Sequence, residues 1–411
     1  MAAAKRDEPQ AVSGRNIIIC CDGTSNEPAS ADDTYGATNV VRIFRCFEKD
    51  EKQIVFYEPG VGTNGILDLW HKRSDAVKAL AAQATGYGLD AHITNAYRFL
   101  CINYRKGDRI SIFGFSRGAY CARVIAGLIQ LIGLLRPEQS NLADYALKAY
   151  KYSSEVDDLS VGWRFARSTG ARRVPIYFLG LWDTVGSMLA PSNEGIGQTY
   201  LPYTTSNAIV QRVRHAMALD EHRHMFNITR WVSTPHKMKP KAAVKGTPQD
   251  VEEVWFAGDH ADVGGGHREE ISGLSKVSLK WMAGEANAAG LRIDNQMRRR
   301  LTSDINDARG KLLYKAEDAL AAPQPMGKKW KAMEVIPSKA SAKIAALRRT
   351  VLGYYLPMSE SRPVVPGDTI HESVVQRVAA GHKQANLGKD ISEFKVSLTK
   401  PIITSKVRAA K

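Results

Sequence analysis

Five short apolar runs, each released into a turn rich in glycine, serine or aspartate, constrain this chain more than any other feature. They are NIIICC before DGTSN, QIVFYE before PGVGTNG, RISIFGF before SRG, VPIYFLGLW before DTVGS, and VEEVWFAG before DHADVGGG. A run of four to eight apolar residues bounded by turn formers reads as a buried strand. After the first strand, Val40, Val41, Phe44 and Phe47 share one helical face, and after the second a longer helical region ends near AYRFLCINYRKGD. The third run leads directly into Ser116 and then into Cys121, Val124, Ile125, Leu128 and Ile132 at helical spacing. Alternation of this kind builds a mostly parallel sheet with right-handed crossovers and helices on both faces.

Farther along, QRVRHAMALDEHRHMF is expected to be a helix between the last two strands. An amphipathic helix carrying Leu274, Val277, Trp281 and Met282 is expected after Gly266. Beyond about Gly290 the strand and helix rhythm fades. Net charge changes there too. The chain of 411 residues carries +15, and from Leu291 onward 23 Lys and Arg stand against 11 Asp and Glu. The expected organisation is therefore an α/β core over 14–290 and a smaller basic C-terminal lobe over 291–411. Such an excess is either a solvated surface or a site for phosphate groups on lipid or nucleic acid.

The longest apolar stretch, Val124 to Leu135, is too short to span a bilayer and is broken by Gln130. The opening MAAAKRDEPQAVSGR lacks the apolar core of a secretory signal. The expectation is a chain cytoplasmic as synthesised, with export by a dedicated secretion machine left open. Five cysteines, all in the first third, read as buried reduced thiols rather than a disulfide framework. No pair has zinc-site spacing.

GFSRGAY contains the pattern G-x-S-x-G. An exposed nucleophilic serine needs a strand before it, a helix after it and small neighbours in the sharp turn between. Ile110 to Phe113, then Gly114, Gly118 and Ala119, then the following helix supply all three. A helix N-cap explains Ser116 but not the two glycines. A serine hydroxyl also needs a base, and the base needs an acid to orient it. In an α/β-hydrolase fold these follow in the order Ser, Asp or Glu, His, each in a loop after a strand. Asp183 leaves one apolar run and His260 the next, whereas the competing role for Asp183 is to cap a turn. His267 is the nearest rival to His260. Oxyanion donors are expected from the backbone N–H of Arg117 and from Gly23 or Thr24, with Asp22 and Asn26 bracing that turn. A different reading takes Asp22, Asp259 and Asp262 as oxygen ligands for Mg²⁺ in a phosphohydrolase, and it leaves Ser116 without a role.

Together these segments resemble the α/β-hydrolase family catalogued as domain of unknown function 2235, which includes phospholipases delivered by bacteria as type VI secretion lipase effectors. The resemblance rests on CDGTSNE, YEPGVGT, GFSRGAY, GLWDTVGS, HAMALDEHRHMF and VWFAGDHADVGGGH, in order from about residue 16 to 290, with a weaker echo in IHESVVQRV. It implies a serine esterase, most specifically a phospholipase or lipase, with Ser116 as nucleophile, Asp183 as acid and His260 as base. No metal or organic cofactor is expected. The implied partners are a lipid or phospholipid ester substrate, an anionic membrane met by the basic lobe, and, for an effector, an immunity or secretion partner. Two alternatives from other classes remain. One is a non-catalytic lipid- or nucleic-acid-binding protein on the same fold, and the other is the metal-dependent phosphohydrolase.

Overall fold

The structure, a computed structural model, describes residues 14–23, 36–60, 89–186, 201–223, 226–232, 248–310, 312–325, 359–382, 384, 386–387 and 391–403, together with a few short ribbon strands. The main elements in chain order are β1 (Asn16–Cys21), α1 (Asn39–Cys46), β2 (Gln53–Glu58), α2 (Leu89–Asn103), β3 (Arg109–Phe115), α3 (Arg117–Leu131), α4 (Ala143–Glu155), α5 (Ser160–Thr169) and β4 (Ile176–Trp182). They continue with β5 (Arg212–Ala218), β6 (Asp250–Phe256), α6 (His260–Gly264), α7 (Gly273–Ala288), α8 (Asn295–Thr302), β7 (Thr369–His371), α9 (Glu372–Ala379) and β8 (Lys395–Ser397).

One sheet of eight strands, in the order β2-β1-β3-β4-β5-β6-β7-β8, organises the molecule. Every neighbouring pair in it is parallel. Alternation along each strand divides the core. Ile17, Ile19, Ile110 and Ile112 pack with α2, α3 and α4, while Ile18, Cys20, Phe113 and Trp182 pack with α1 and α7. Each fully buried isoleucine contributes roughly 1.5–3 kcal/mol, which is why both faces must be covered. The five cysteines lie buried and free within these layers. Burial pushes the Cys46 thiol up to about 12, so it stays protonated at neutral pH.

Two expectations are corrected. QRVRHAMALDEHRHMF contains no helix over its first half; Arg212–Ala218 is strand β5, held between β4 and β6. A strand buried on both faces shows no period-two polarity, so its pattern is indistinguishable from that of a buried helix. Its polar members are accommodated by partners. Arg214 pairs with Glu285 at 2.7 Å, and His215 bonds Glu253 at 2.8 Å.

The sheet also does not end at residue 290. β7 and β8, from the region expected to be a smaller basic lobe packed on or near the core, extend it past β6, with Thr369 opposite Val254 and Ile370 opposite Trp255. A third apolar cluster, including Trp255, Met217, Ile370 and Val374, seals that junction. Strands of three residues carry too short an apolar run to be seen in sequence. Part of the basic charge is buried rather than solvated: Arg377 is 2% exposed and donates to the carbonyls of Ala319 and Ala321 at 2.7 Å.

The chain runs outward from β1 to β2, then returns across β1 to lay down β3 and every later strand on the other side. Ligands of parallel α/β sheets bind beyond the carboxyl ends of the strands at such a switch point. Asp22 follows β1 and Ser116 follows β3, so the fold brings both to that place.

Candidate active site

Ser116 occupies the single position between β3 and α3, with φ 56° and ψ −121°. A non-glycine residue there stores roughly 1–3 kcal/mol of backbone strain. Its N–H donates to the carbonyl of Trp182 at 3.0 Å, which ties the turn to the end of β4. The side chain makes no capping hydrogen bond to α3, so the serine is not serving as an N-cap. The flanking glycines answer to close backbone approach. A Cβ on Gly114 would stand 2.4 Å from the carbonyl oxygen of Gly118, and one on Gly118 would stand 2.3 Å from that of Cys21. Side chains at either place would push β1, β3 and α3 apart.

Asp183 leaves β4 in a left-handed conformation, φ 38°, and is fully buried. Its Oδ2 lies 2.5 Å from His260 Nδ1, while Oδ1 accepts from the Ala218 N–H at 2.9 Å. Arg362 closes the arrangement, donating to Oδ1 at 2.6 Å and Oδ2 at 3.0 Å. Burial pushes the Asp183 pKa up. The Arg362 charge and the His260 hydrogen bond outweigh burial and hold it well below the usual carboxylate range. An ionised Asp183 can only accept, so the imidazole proton sits on Nδ1 and the Nε2 lone pair is the basic one.

His260 opens α6, and its backbone N–H donates to Glu221 Oε2 at 3.2 Å. Its ring lies 4.6 Å from that of Phe115 and 4.9 Å from that of Phe226. Phe115 immediately precedes Ser116, so this packing seats the imidazole beside the elbow. A Cβ at Gly264 would fall 1.8 Å from the Phe115 ring, which explains a glycine one turn after His260.

Arg117 is the first residue of α3, where helix N–H groups lack intrahelical acceptors. The Gly23 N–H donates to Asp22 Oδ1 at 2.6 Å and is thereby engaged. Thr24 and Asn26 lie outside the described residues. Asp22 itself is buried, accepting from Tyr57 Oη at 2.6 Å and Thr38 Oγ1 at 2.8 Å. Burial pushes its pKa up to about 6 against the lowering effect of those hydrogen bonds.

Asp259 and Asp262 stand in a network separate from that of Asp22. They form a reciprocal cap on α6, Asp259 accepting from the N–H of Ala261 and Asp262, and Asp262 from that of Asp259. His267 Nε2 is 3.7 Å from Asp259 and 3.5 Å from Asp262. Among the described residues these three are the group that could hold a metal ion, and Asp22 is not part of it. His267 therefore serves the base of α6, whereas His260 is the histidine joined to Asp183.

Sequence reasoning missed Arg362, Glu221 and the His215–Glu253 pair. His215 Nε2 accepts from the N–H of Thr184, the residue after Asp183, at 3.1 Å. HAMALDEHRHMF offered a signal for His215 and Glu221. Nothing in SRPVVPGD marks Arg362 as the partner of a carboxylate 179 positions earlier.

Among known proteins, an uncharacterized protein of Saccharomyces cerevisiae is 35% identical over 232 residues, covering 52% of this chain and 32% of its own length. A crystal structure of an uncharacterized protein from Pseudomonas aeruginosa matches 69% of this chain and 48% of its own, at 20% identity and a TM-score of 0.39. The structure of the Tle1 effector bound to the VgrG spike of the type 6 secretion system matches 64% of this chain and 52% of its own, at 20% identity and a TM-score of 0.30. The chain thus spans about a third of the yeast relative and about half of each solved structure. Residues 15–285 match the model of the type VI secretion phospholipase effector Tle1-like catalytic domain, and the chain belongs to that family.

Proposed function

We propose that this protein is a serine hydrolase that cleaves a carboxylic ester of a phospholipid through an acyl-enzyme. The observation that carries the reading is the Asp183–His260 pair, 2.5 Å apart and packed on Phe115, the residue before a strained Ser116. Ser116 Oγ attacks the ester carbonyl while its proton passes to His260 Nε2. The N–H of Arg117 and an amide of the loop after β1 receive the oxyanion. The tetrahedral intermediate collapses, and the imidazolium gives its proton to the departing alcohol. Water, deprotonated by His260, then releases the fatty acid and restores Ser116. Asp183 stays ionised throughout and stabilises the imidazolium.

The chemistry is tested by labelling with a fluorophosphonate and by hydrolysis of phospholipid vesicles. Wild type should label and hydrolyse, and Ser116→Ala should do neither. Activity that survives in Ser116→Ala and is lost in EDTA would replace this mechanism with a metal-dependent one.

The family description also supports export by the type VI apparatus and, with it, a secretion partner. No helix among the described residues is long and apolar enough to cross a membrane. Contact with lipid is assigned instead to the basic C-terminal region, where each Lys or Arg near an anionic surface contributes roughly 1 kcal/mol within a Debye length. The protein should sediment with anionic vesicles at low salt, much less at about 0.5 M salt, and little with neutral vesicles. Equal binding to neutral and anionic vesicles would remove this membrane role.

A further inference from the structure

Helix α3 begins beside Ser116 and ends roughly 20 Å away, at 1.5 Å per residue. There a cavity of about 520 Å³ opens between it and α5. Backbone contacts fix its walls. A Cβ on Gly162 would stand 2.6 Å from the Leu131 side chain, so α5 lies hard against α3. Leu134 and Arg172 exchange backbone hydrogen bonds of 2.8 Å, which tie together the segments that follow the two helices. Trp163, Ala166, Arg167 and Gly170, spaced i, i+3, i+4 and i+7, turn one face of α5 toward the space. The polar groups of the lining lack partners. Arg167 and Arg173 are exposed and make no hydrogen bond or ion pair among the described residues. Arg172, between them in sequence, turns inward to the carbonyls of Cys101 and Leu135 at 3.2 and 2.7 Å. The helix dipole accounts for Arg167, in the last turn of α5, but not for Arg173, which lies beyond the helix. The carbonyls of Leu128, Ile129, Ala166 and Arg167, at the ends of the two helices, are already taken by backbone N–H groups. Gln130 Oε1 is buried and receives no donor. Trp163, in contrast, is 52% exposed.

We propose that this cavity binds a nucleoside monophosphate. The phosphate lies against Arg167 and Arg173, the base stacks on the Trp163 indole, and an N–H of the base donates to Gln130 Oε1. Each lining group selects one part of such a ligand. Planar guanidinium forks match phosphate oxygens in pairs, and no carboxylate among the described residues of the lining competes for them. An exposed indole offers a flat π face that any base can cover. A buried acceptor without a donor is costly, and a base supplies that donor from its ring or its exocyclic amine. A fatty acid would satisfy the arginines and the apolar floor of Leu131 and Ile132 but would leave Gln130 unmet. Inorganic phosphate would leave both Gln130 and Trp163 unused. The volume falls within the range of small-molecule sites. The cavity lies at the opposite end of α3 from Ser116, so this site does not rest on the hydrolase reading.

The probes are AMP, GMP, CMP and UMP, titrated separately at constant ionic strength into the full-length protein and read by calorimetry and by unfolding midpoint. The matching nucleosides, inorganic phosphate and decanoate serve as partial ligands. At least one nucleotide should bind wild type saturably, about tenfold or more tighter than its nucleoside or phosphate alone. Arg167→Gln/Arg173→Gln should weaken that nucleotide about tenfold or more and leave the nucleoside unchanged. Trp163→Leu should weaken nucleotide and nucleoside alike by about fivefold or more. Gln130→Leu should weaken the nucleotide while phosphate binding stays the same. The unfolding midpoints of the free variants report whether each still folds. Absence of saturable nucleotide binding in wild type overturns the site. So does equal nucleotide binding in the arginine and tryptophan variants, or decanoate binding tighter than that of every nucleotide. Binding is read without catalysis, so an enzyme inert toward esters would sink the hydrolase reading and leave this one standing.

Discussion

Two buried histidine–carboxylate pairs lie on either side of the turn after β4, one within the sheet and one just beyond its strand ends, and they differ in what their second ring nitrogen meets. In His260–Asp183 the carboxylate holds Nδ1 at 2.5 Å, and the ring packs beside the serine elbow. In His215–Glu253 the carboxylate holds Nδ1 at 2.8 Å, and Nε2 is taken by the N–H of Thr184. An amide N–H can only donate, so His215 Nε2 carries its lone pair inward and is spent. Burial, followed by the charge of Arg123, holds the His215 pKa below its ordinary value despite the hydrogen bond to Glu253. A carboxylate on Nδ1 therefore does not make a histidine catalytic. The second nitrogen decides.

The largest effects should break the comparison at the member proposed to be reactive. Ser116→Ala should lower ester hydrolysis by about 10⁴ to 10⁶, and His260→Ala by a similar factor, because the two act as a unit. His267→Ala, which disturbs only the cap of α6, should cost far less. Steady-state rates on a soluble ester check all three, and a reversed order for the two histidines would move the base to His267. Next in size, Asp183→Asn should reduce kcat by roughly 10⁴ while fluorophosphonate labelling slows rather than vanishes, since the amide favours the wrong imidazole tautomer.

Arg362 sharpens the contrast, because Glu253 is held by His215 of β5 and by Arg230 and the Trp231 N–H, whereas Asp183 is paired with an arginine from the C-terminal region. Removing one member of a buried pair leaves an uncompensated charge, so Arg362→Gln should destabilise the fold by about 3–5 kcal/mol at pH 7. Urea unfolding measures it. The depressed Asp183 pKa also gives a sign. This carboxylate contributes stability above its unfolded pKa of 3.8 and loses it as pH falls toward the lower folded value. Wild type should therefore weaken with acid in that range, and Arg362→Gln should show a shallower acid limb. Equal slopes would mean that Arg362 does not hold the acid.

Arg362 also marks the limit of what the sequence discloses. The strand–turn–helix around Ser116 is legible because apolar run, glycines and helical spacing all act within about a dozen residues. Asp183 and His260 are legible because each ends an apolar strand at the same edge of a parallel sheet. β5 was misread because burial on both faces erases the period that separates strand from helix. β7, β8 and Arg362 escape for one shared reason: their partners are distant in sequence, and three-residue strands or a lone arginine before a proline carry no local pattern. The engaged N–H of Gly23 belongs to the same class, since only the folded loop shows that Asp22 takes it.

The smallest expected effect tests the structural histidine. His215 grips the residue after Asp183, so its task is to hold the left-handed acid turn rather than to move protons. His215→Phe keeps the volume but leaves the Thr184 N–H without a buried partner and takes one hydrogen bond from Glu253, which the Trp231 N–H and Arg230 still hold, at a cost of roughly 1–3 kcal/mol. Any loss of kcat should be modest, on the order of tenfold, and should come through displacement of Asp183. The pH dependence separates this role from a catalytic one. A histidine whose folded pKa lies below its unfolded value of 6.5 contributes stability above 6.5, and that stability is lost as pH falls toward the folded pKa. Wild type should lose stability below about pH 6.5 partly through His215, and His215→Phe should lack that component while its kcat profile keeps the limb set by the catalytic base. If the stability slope survives the substitution and the kcat limb disappears, the two histidines have exchanged roles, and the distinction drawn from their second nitrogens fails.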